Sequence, residues 1–216
     1  KSYHVTDVTR GVIGMGGIVP AQIPVAGGMA LAQKRRGTDR VSLAFFGDGA
    51  SNEGAVHETA ALAAMWTLPL ILLCENNRYC ITQRDFDAVK GSSIAARAAG
   101  YGLPGVVVDG TDPLAVQAAV ADAVARAREG GGASFIEAQC ERLTGHLIHD
   151  TQGYRSREEL DAAWKRCPIR LFRQRLEREG ILAADDMARM TDEIDAEVTE
   201  AVAYARAQPF PATQAA

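Results

Sequence analysis

The stretch VSLAFFGDGASNEG (residues 41–54) decides the fold class once it is set beside LILLCENNRY (residues 70–79). In each, an apolar run stops at a polar terminator, first Asp48 between Gly47 and Gly49, then the pair Asn76–Asn77. Apolar runs of this length, without alternation, are what strands buried on both faces look like. Between them Gly54–Trp66 is Ala-rich and sets Val56, Ala60, Ala63 and Ala64 on one helical stripe. A strand, a helix and a strand in this order mean two parallel strands joined by a crossover. The strands are expected at Val41–Phe46 and Leu70–Cys74, and two later runs, Gly105–Asp109 and Ser134–Cys140, continue the alternation. Asp112–Glu129 reads as an amphipathic helix opened by an Asp cap, and Ala21–Arg36 as a helix despite Pro24 and Gly27–Gly28. The predicted fold is α/β, a parallel sheet with helices on both faces over residues 1–150, followed by a C-terminal helical extension over residues 151–216. In that extension Met187, Met190, Ile194, Val198, Ala201 and Ala205 recur at spacings of three and four, a stripe expected to pack, with acids on the solvated face.

Composition bounds the function. The chain has 216 residues, 47% of them hydrophobic, enough for a substantial core. Its net charge of −4 is spread through interspersed acids and bases, without the basic stripe that a phosphate backbone requires, so no nucleic-acid partner is expected. No stretch approaches the ~18 apolar residues of a membrane span, and no signal-peptide core is present, so no membrane partner is expected. Cys74, Cys80, Cys140 and Cys167 show no CxxC spacing and read as reduced structural thiols of a cytoplasmic protein. The chain begins at Lys1 rather than at a methionine, and an N-terminal part of the α/β domain is expected to be missing.

In an open parallel sheet, ligands collect beyond the carboxyl ends of the strands, where loops and helix N-termini offer N–H groups. Asp48 and Asn77 lie just past the ends of two successive strands, and residues 50–75 suffice for one crossover helix and one return strand. A carboxylate, an amide oxygen and a nearby carbonyl are hard ligands suited to Mg²⁺, which shares its six positions with phosphates and water. Gly47 and Gly49 leave room for a phosphate to approach the backbone. Either element alone is also an ordinary tight turn or strand terminator; their joint occurrence at crossover spacing points to a Mg²⁺-diphosphate site.

GDG followed by NN at this spacing resembles the thiamine diphosphate motif. The surrounding text, from GGIVPAQIPVAGG (residues 16–28) through ENNRYCIT (residues 75–82), YGLPGVVVDGTDPLAV (residues 101–116) and LTGHLIHDTQGYRSREEL (residues 143–160), resembles the alpha subunit of the first, decarboxylating component of 2-oxo acid dehydrogenase complexes, especially the pyruvate and acetoin branches. The resemblance covers roughly residues 2–165. It implies that Asp48, Asn77 and the carbonyl of Tyr79 bind Mg²⁺, that Gly49 and Ala50 donate backbone N–H groups to the diphosphate, and that Gly17 and Val19 support the aminopyrimidine. It implies that His146 sits at the active-site mouth, contacts the phosphate end of the cofactor and handles the acyl group passed to a lipoyl-bearing acyltransferase. His4 matches a family histidine near the cofactor segment, where a structural role competes with a functional one, and His57 is expected to pack or hydrogen-bond. His146, His149 and Asp150 also suggest zinc, but no second cluster completes four ligands.

The family glutamate that activates the aminopyrimidine belongs to a beta subunit, so the resemblance implies an α₂β₂ assembly in which this chain anchors the coenzyme. There are departures. Cys80 stands where glycine is usual, Pro20 where glycine is common, and Leu147 where mitochondrial relatives carry a phosphorylated serine; the family's diphosphate-binding Tyr-Arg pair has no match in residues 1–16. Two other readings stay open, a transketolase-like or acyloin-forming subunit and a non-catalytic paralogue. Carboligation with aldehydes would mark the first, and absence of cofactor binding the second. The substrate, a 2-oxo acid or acetoin, is not fixed by the sequence.

Overall fold

The computed structural model describes residues 5–14, 16–84 and 89–209. In chain order the main elements are α1 (Gln22–Arg35), β1 (Ser42–Gly47), α2 (Gly54–Met65), β2 (Leu70–Asn76), a short hairpin of β3 (Tyr79–Cys80) and β4 (Gln83–Arg84), β5 (Gly105–Asp109), α3 (Pro113–Arg128) and β6 (Ser134–Gln139). Three helices follow: α4 (Arg157–Lys165), α5 (Pro168–Arg178) and α6 (Ala184–Ala207). The four long strands form one parallel sheet in the order β1-β2-β6-β5. The α/β class and the parallel sheet expected from the apolar runs are what the chain adopts.

Burial on both faces explains why β2 reads as an unbroken apolar run. Its alternate residues Leu70, Leu72 and Cys74 join Ala44, Phe46 and Phe135 in a core with Ile23, Ala30, Val56 and Ala60 of α1 and α2. Ile71 and Leu73 point the other way, into a second core with Ile136, Ala138 and Ala123 of α3. Phe46 and Phe135 meet edge to face at 5.7 Å between centroids, a geometry worth roughly 0.5–1.5 kcal/mol beyond area burial. Close packing of α1 on α2 depends on Gly27, since a Cβ there would lie 2.9 Å from the Thr59 methyl. Asp112 caps α3 by accepting from the N–H groups of Leu114 and Ala115 at 3.0 and 3.4 Å.

One strand differs from expectation in a way that matters for the site. β2 runs past Cys74 to Asn76, because Glu75 and Asn76 stay in register with Ala138 and Gln139 of β6. Asn76 is therefore a sheet residue, and Asn77 is the first residue beyond the sheet.

The chain divides into two compact units, residues 1–168 and 169–216. The segment after 150 is tied into the first unit by polar contacts: the Tyr79 hydroxyl donates to Glu159 Oε1 at 2.5 Å, Arg84 pairs with Glu159 Oε2 at 2.8 Å, and Arg155 Nε reaches Glu159 Oε1 at 3.2 Å. Of the stripe expected on α6, Met187 is half-buried, while Met190, Ile194 and Val198 are exposed, at 40%, 58% and 56%. Among the described residues no helix is long and apolar enough to cross a membrane.

Candidate functional site

Gly47 and Glu75 are register partners at the carboxyl ends of β1 and β2. Neighbouring strands lie about 4.8 Å apart, so Asp48 and the Asn76–Asn77 pair leave adjacent strands at one edge of the sheet. Asp48 is 2% exposed. It starts a 3₁₀ turn, Gly49–Asn52, whose Ser51 donates to the Asp48 carbonyl from both its N–H (3.1 Å) and its hydroxyl (2.6 Å). From a second 3₁₀ segment, Ala95–Tyr101, Arg97 donates to the Ser51 carbonyl at 2.9 Å and to Asn52 Oδ1 at 2.7 Å. The GDG turn is held from outside as well as from within.

The second arm is a tight polar turn. Asn76, 5% exposed, accepts from the Arg78 N–H at 3.0 Å, and Asn77 Oδ1 accepts from the Tyr79 N–H at 3.1 Å. These consecutive Asx bonds hold Arg78 at φ +69°, a left-handed conformation rare outside glycine. Asn77 keeps a second lone pair on Oδ1 for another partner. The Tyr79 ring lies among three guanidinium groups, those of Arg155 at 5.0 Å, Arg142 at 5.1 Å and Arg84 at 5.8 Å from its centroid. Burial, then the Glu159 carboxylate, raises the Tyr79 phenol pKa. Burial also pushes Glu159 up, but the Tyr79 hydroxyl and the two arginines outweigh it and leave that carboxyl lowered. Tyr79 is thereby kept as donor and Glu159 as acceptor.

The two glycines of GDG differ in what they leave room for. A Cβ on Gly47 would meet open space, whereas one on Gly49 would run into Sγ and Cβ of Cys80. The space cleared at Gly49 is thus occupied by a protein side chain, and only the space at Gly47 is open to an approaching group. Of the two positions expected to leave side-chain space for a phosphate, the space is open at Gly47 and filled at Gly49.

The remaining candidates are spread along the same edge. Gln22, at the start of α1, donates to the Phe45 carbonyl near the end of β1 at 3.1 Å, which brings the preceding Gly17–Val19 segment to that end of the sheet. Val19 is 63% exposed and joined to Pro20 by a cis peptide bond. Ala50 is buried in the 3₁₀ turn. His146 is exposed in the loop after β6; its N–H donates to Asp150 Oδ2 at 2.7 Å. Asp150 also accepts from the Gln152 N–H at 2.9 Å and the Tyr154 hydroxyl at 2.7 Å. These bonds, the His146 N–H first, lower its pKa. Among the described residues no group of three His, Cys, Asp or Glu could hold a metal, so the zinc reading of His146, His149 and Asp150 fails. His57 Nδ1 hydrogen-bonds the Tyr101 hydroxyl, as its packing role implied, and His4 lies outside the described residues.

Sequence reasoning missed Glu137. It is 0% exposed within β6, and its carboxylate accepts from Asn76 Nδ2 at 2.9 Å. A lone acid inside the apolar run SFIEA (residues 134–138) was the available signal. A cavity of about 820 Å³ also opens on this edge over β2, β6 and β5, lined by Asn76, Tyr79, Val108, Gln139, Glu159 and Arg166 among others. Asp48 and Asn77 are not among its lining residues, whereas Tyr79, the third candidate metal ligand, is.

The donor set fits a hard divalent cation. One buried carboxylate (Asp48), one amide oxygen (Asn77) and one carbonyl (Tyr79) offer oxygen only, and leave coordination positions for phosphate oxygens and water, as Mg²⁺ prefers.

The chain resembles known proteins over nearly its whole length. The family model described as "Dehydrogenase E1 component" matches residues 1–214. The chain is 43% identical over 213 residues to the alpha subunit of acetoin:2,6-dichlorophenolindophenol oxidoreductase of Cupriavidus necator, covering 97% of this chain and 63% of that one. It is 42% identical over 199 residues to the 2-oxoisovalerate dehydrogenase subunit alpha of Bacillus subtilis, covering 92% and 60%. It is 38% identical over 200 residues to the somatic mitochondrial pyruvate dehydrogenase E1 component subunit alpha of Homo sapiens, covering 92% and 51%. The chain therefore spans between about half and two thirds of the length of these relatives.

Proposed function

The chain belongs to the dehydrogenase E1 component family, and from that premise we propose that it forms part of the alpha subunit of a thiamine diphosphate- and Mg²⁺-dependent enzyme. The reaction is cleavage of a 2-oxo acid or acetoin, with the acyl group passed to a lipoyl carrier. Thiamine diphosphate supplies a carbon nucleophile and an electron sink for breaking the bond next to the carbonyl. The protein's share is to hold one end of that coenzyme and orient the other.

In this reading Asp48, Asn77 Oδ1 and the Tyr79 carbonyl hold Mg²⁺, while Gly49 and Ala50 turn backbone N–H groups toward the diphosphate. Gly17 and Val19 bear on the aminopyrimidine, and His146 meets the acyl group at the mouth. Catalysis requires a beta subunit, in an α₂β₂ assembly, and a lipoyl-bearing acyltransferase as acceptor. The four free cysteines suit a reducing compartment such as the cytoplasm. The observation that carries the reading is the register pair Gly47–Glu75, from which a buried acid and an Asx-turn amide leave neighbouring strands together.

Two experiments test it. Calorimetric titration with thiamine diphosphate is expected to show binding only when Mg²⁺ is present, and Asp48→Ala is expected to abolish it; unchanged affinity in that variant defeats the metal assignment. Reduction of an artificial electron acceptor by pyruvate, branched 2-oxo acids or acetoin is expected only when a partner beta subunit is added. Full turnover by this chain alone, or carboligation without oxidation, contradicts the assignment.

A further inference from the structure

Glu137 is a fully buried acid that the proposed coenzyme chemistry does not use, and its hydrogen bonds reach both arms of the candidate site. Its Oε1 accepts from Asn76 Nδ2 at 2.9 Å and from Gln139 Nε2 at 3.2 Å; its Oε2 accepts from the Ala95 N–H at 2.8 Å. Every one of these neighbours presents a donor, so the site demands a group that only accepts.

Each bond leads onward. Fixing Asn76 Nδ2 fixes the amide's rotamer, so Asn76 Oδ1 is aimed at the Arg78 N–H, the bond that supports the left-handed Arg78 and hence the Asn77–Tyr79 turn. Fixing the Ala95 N–H anchors the start of the 3₁₀ segment from which Arg97 grips Ser51 and Asn52 of the GDG turn. The two arms come from different strands, and Glu137 on β6 is linked to both.

We propose that Glu137 is the positioning residue that sets the spacing between the two halves of the Mg²⁺-diphosphate site, acting through Asn76 on one side and through Ala95 and Arg97 on the other. This rests on the reading of the site given above. It also assigns the first asparagine of the pair: Asn76 is a relay to the sheet, and Asn77 faces the ion.

Polarity reversal separates this role from bulk or charge. In Glu137→Gln the new amide must turn its NH₂ toward either Asn76 Nδ2 or the Ala95 N–H, and a donor then faces a donor. In Asn76→Asp two carboxylates face each other. When both substitutions are combined, the introduced amide NH₂ donates one hydrogen to the introduced carboxylate, which still accepts from the Arg78 N–H, and the other to Gln139, whose side-chain amide turns its oxygen inward; the introduced amide oxygen still accepts from the Ala95 N–H. Both single variants are expected to lose Mg²⁺-dependent thiamine diphosphate affinity by roughly ten- to a hundredfold, the usual cost of one buried unmatched polar group, and the combined variant to recover most of it.

Amide hydrogen exchange in the cofactor-free chain gives a readout independent of the coenzyme. Arg78 and Tyr79 N–H groups should exchange faster in each single variant and regain protection in the combined one. Equal affinity and equal exchange in Glu137→Gln and the parent overturn the proposal. If the parent binds no coenzyme, the reading of the site fails on its own, and the exchange arm still decides whether Glu137 sets the turn. If Glu137→Gln alone does not fold, the combined variant carries the test: it must fold and bind, and its failure to do so overturns the proposal.

Discussion

Placing alanine at Gly49 tests whether the GDG turn and the β3 hairpin are packed against each other as described. The backbone at Gly49 is not in the left-handed region, so an L side chain meets no intrinsic strain there. What it meets is Cys80, whose Sγ and Cβ occupy the position of the added methyl. Forcing a methyl into a filled space costs about 1–3 kcal/mol. Replacing Cys80 by glycine removes both colliding atoms and leaves only the Cα, 3.5 Å away, an ordinary contact. Gly49→Ala should therefore be destabilising in the parent and nearly neutral, within about 0.5 kcal/mol, in a Cys80→Gly background. The cycle of four proteins is read by urea unfolding, with the single-site costs cancelling in the coupling term. Both tryptophans, Trp66 and Trp164, lie in the unit spanning residues 1–168, so their fluorescence reports that unit. A coupling energy indistinguishable from zero would mean that the two residues do not touch, and the packing argument would fall.

Adjacent glycines of α1 should respond with opposite sign. Gly28→Ala meets nothing within 4 Å and should stabilise by up to about 1 kcal/mol through helix propensity, while Gly27→Ala strikes the Thr59 methyl at 2.9 Å and should destabilise; urea midpoints check both. Burial, then the charges of Glu75, Glu141 and Asp48, pushes the Cys140 thiol up to about 11. Its thiolate fraction at pH 8 should then be roughly a thousandth, against about a quarter for an unperturbed thiol. Iodoacetamide labelling followed by mass spectrometry should find Cys140 slow at pH 8 and accelerating as pH rises toward 11; labelling as fast as a free thiol would contradict the burial. Asp150→Ala removes the acceptor of the His146 and Gln152 N–H groups and should speed their amide exchange while leaving β6 protected.

The sheet was legible because parallel strands buried on both faces carry their signal in every residue. Leu70 to Cys74 needs no partner to be identified as a strand, and Asp48 and Asn76 mark where such runs end. What the sequence could not reveal depends on contacts between distant segments. Nothing in the spacing tells that Glu75 and Asn76 remain on the ladder, because that depends on where β6 falls in register. Nothing local tells that Gly49 makes room for Cys80, or that Asn76 and Asn77 divide their work, since the first answers to Glu137 across the sheet. The polar contacts that join the segment after residue 150 to the sheet have the same origin: Tyr79, Arg84, Arg155 and Glu159 form a polar knot with no periodicity to betray it.

The claim on which the functional reading stands is that Asp48 and Asn77 grip one ion. A calorimetric double-mutant cycle measures this directly, using Asp48→Ala, Asn77→Ala and the combined variant titrated with thiamine diphosphate at fixed Mg²⁺. If both side chains serve the same cation, each substitution alone removes most of the Mg²⁺-dependent affinity and the combined variant loses little more. Two independent, additive losses, or full affinity after Asn77→Ala, would contradict a shared site.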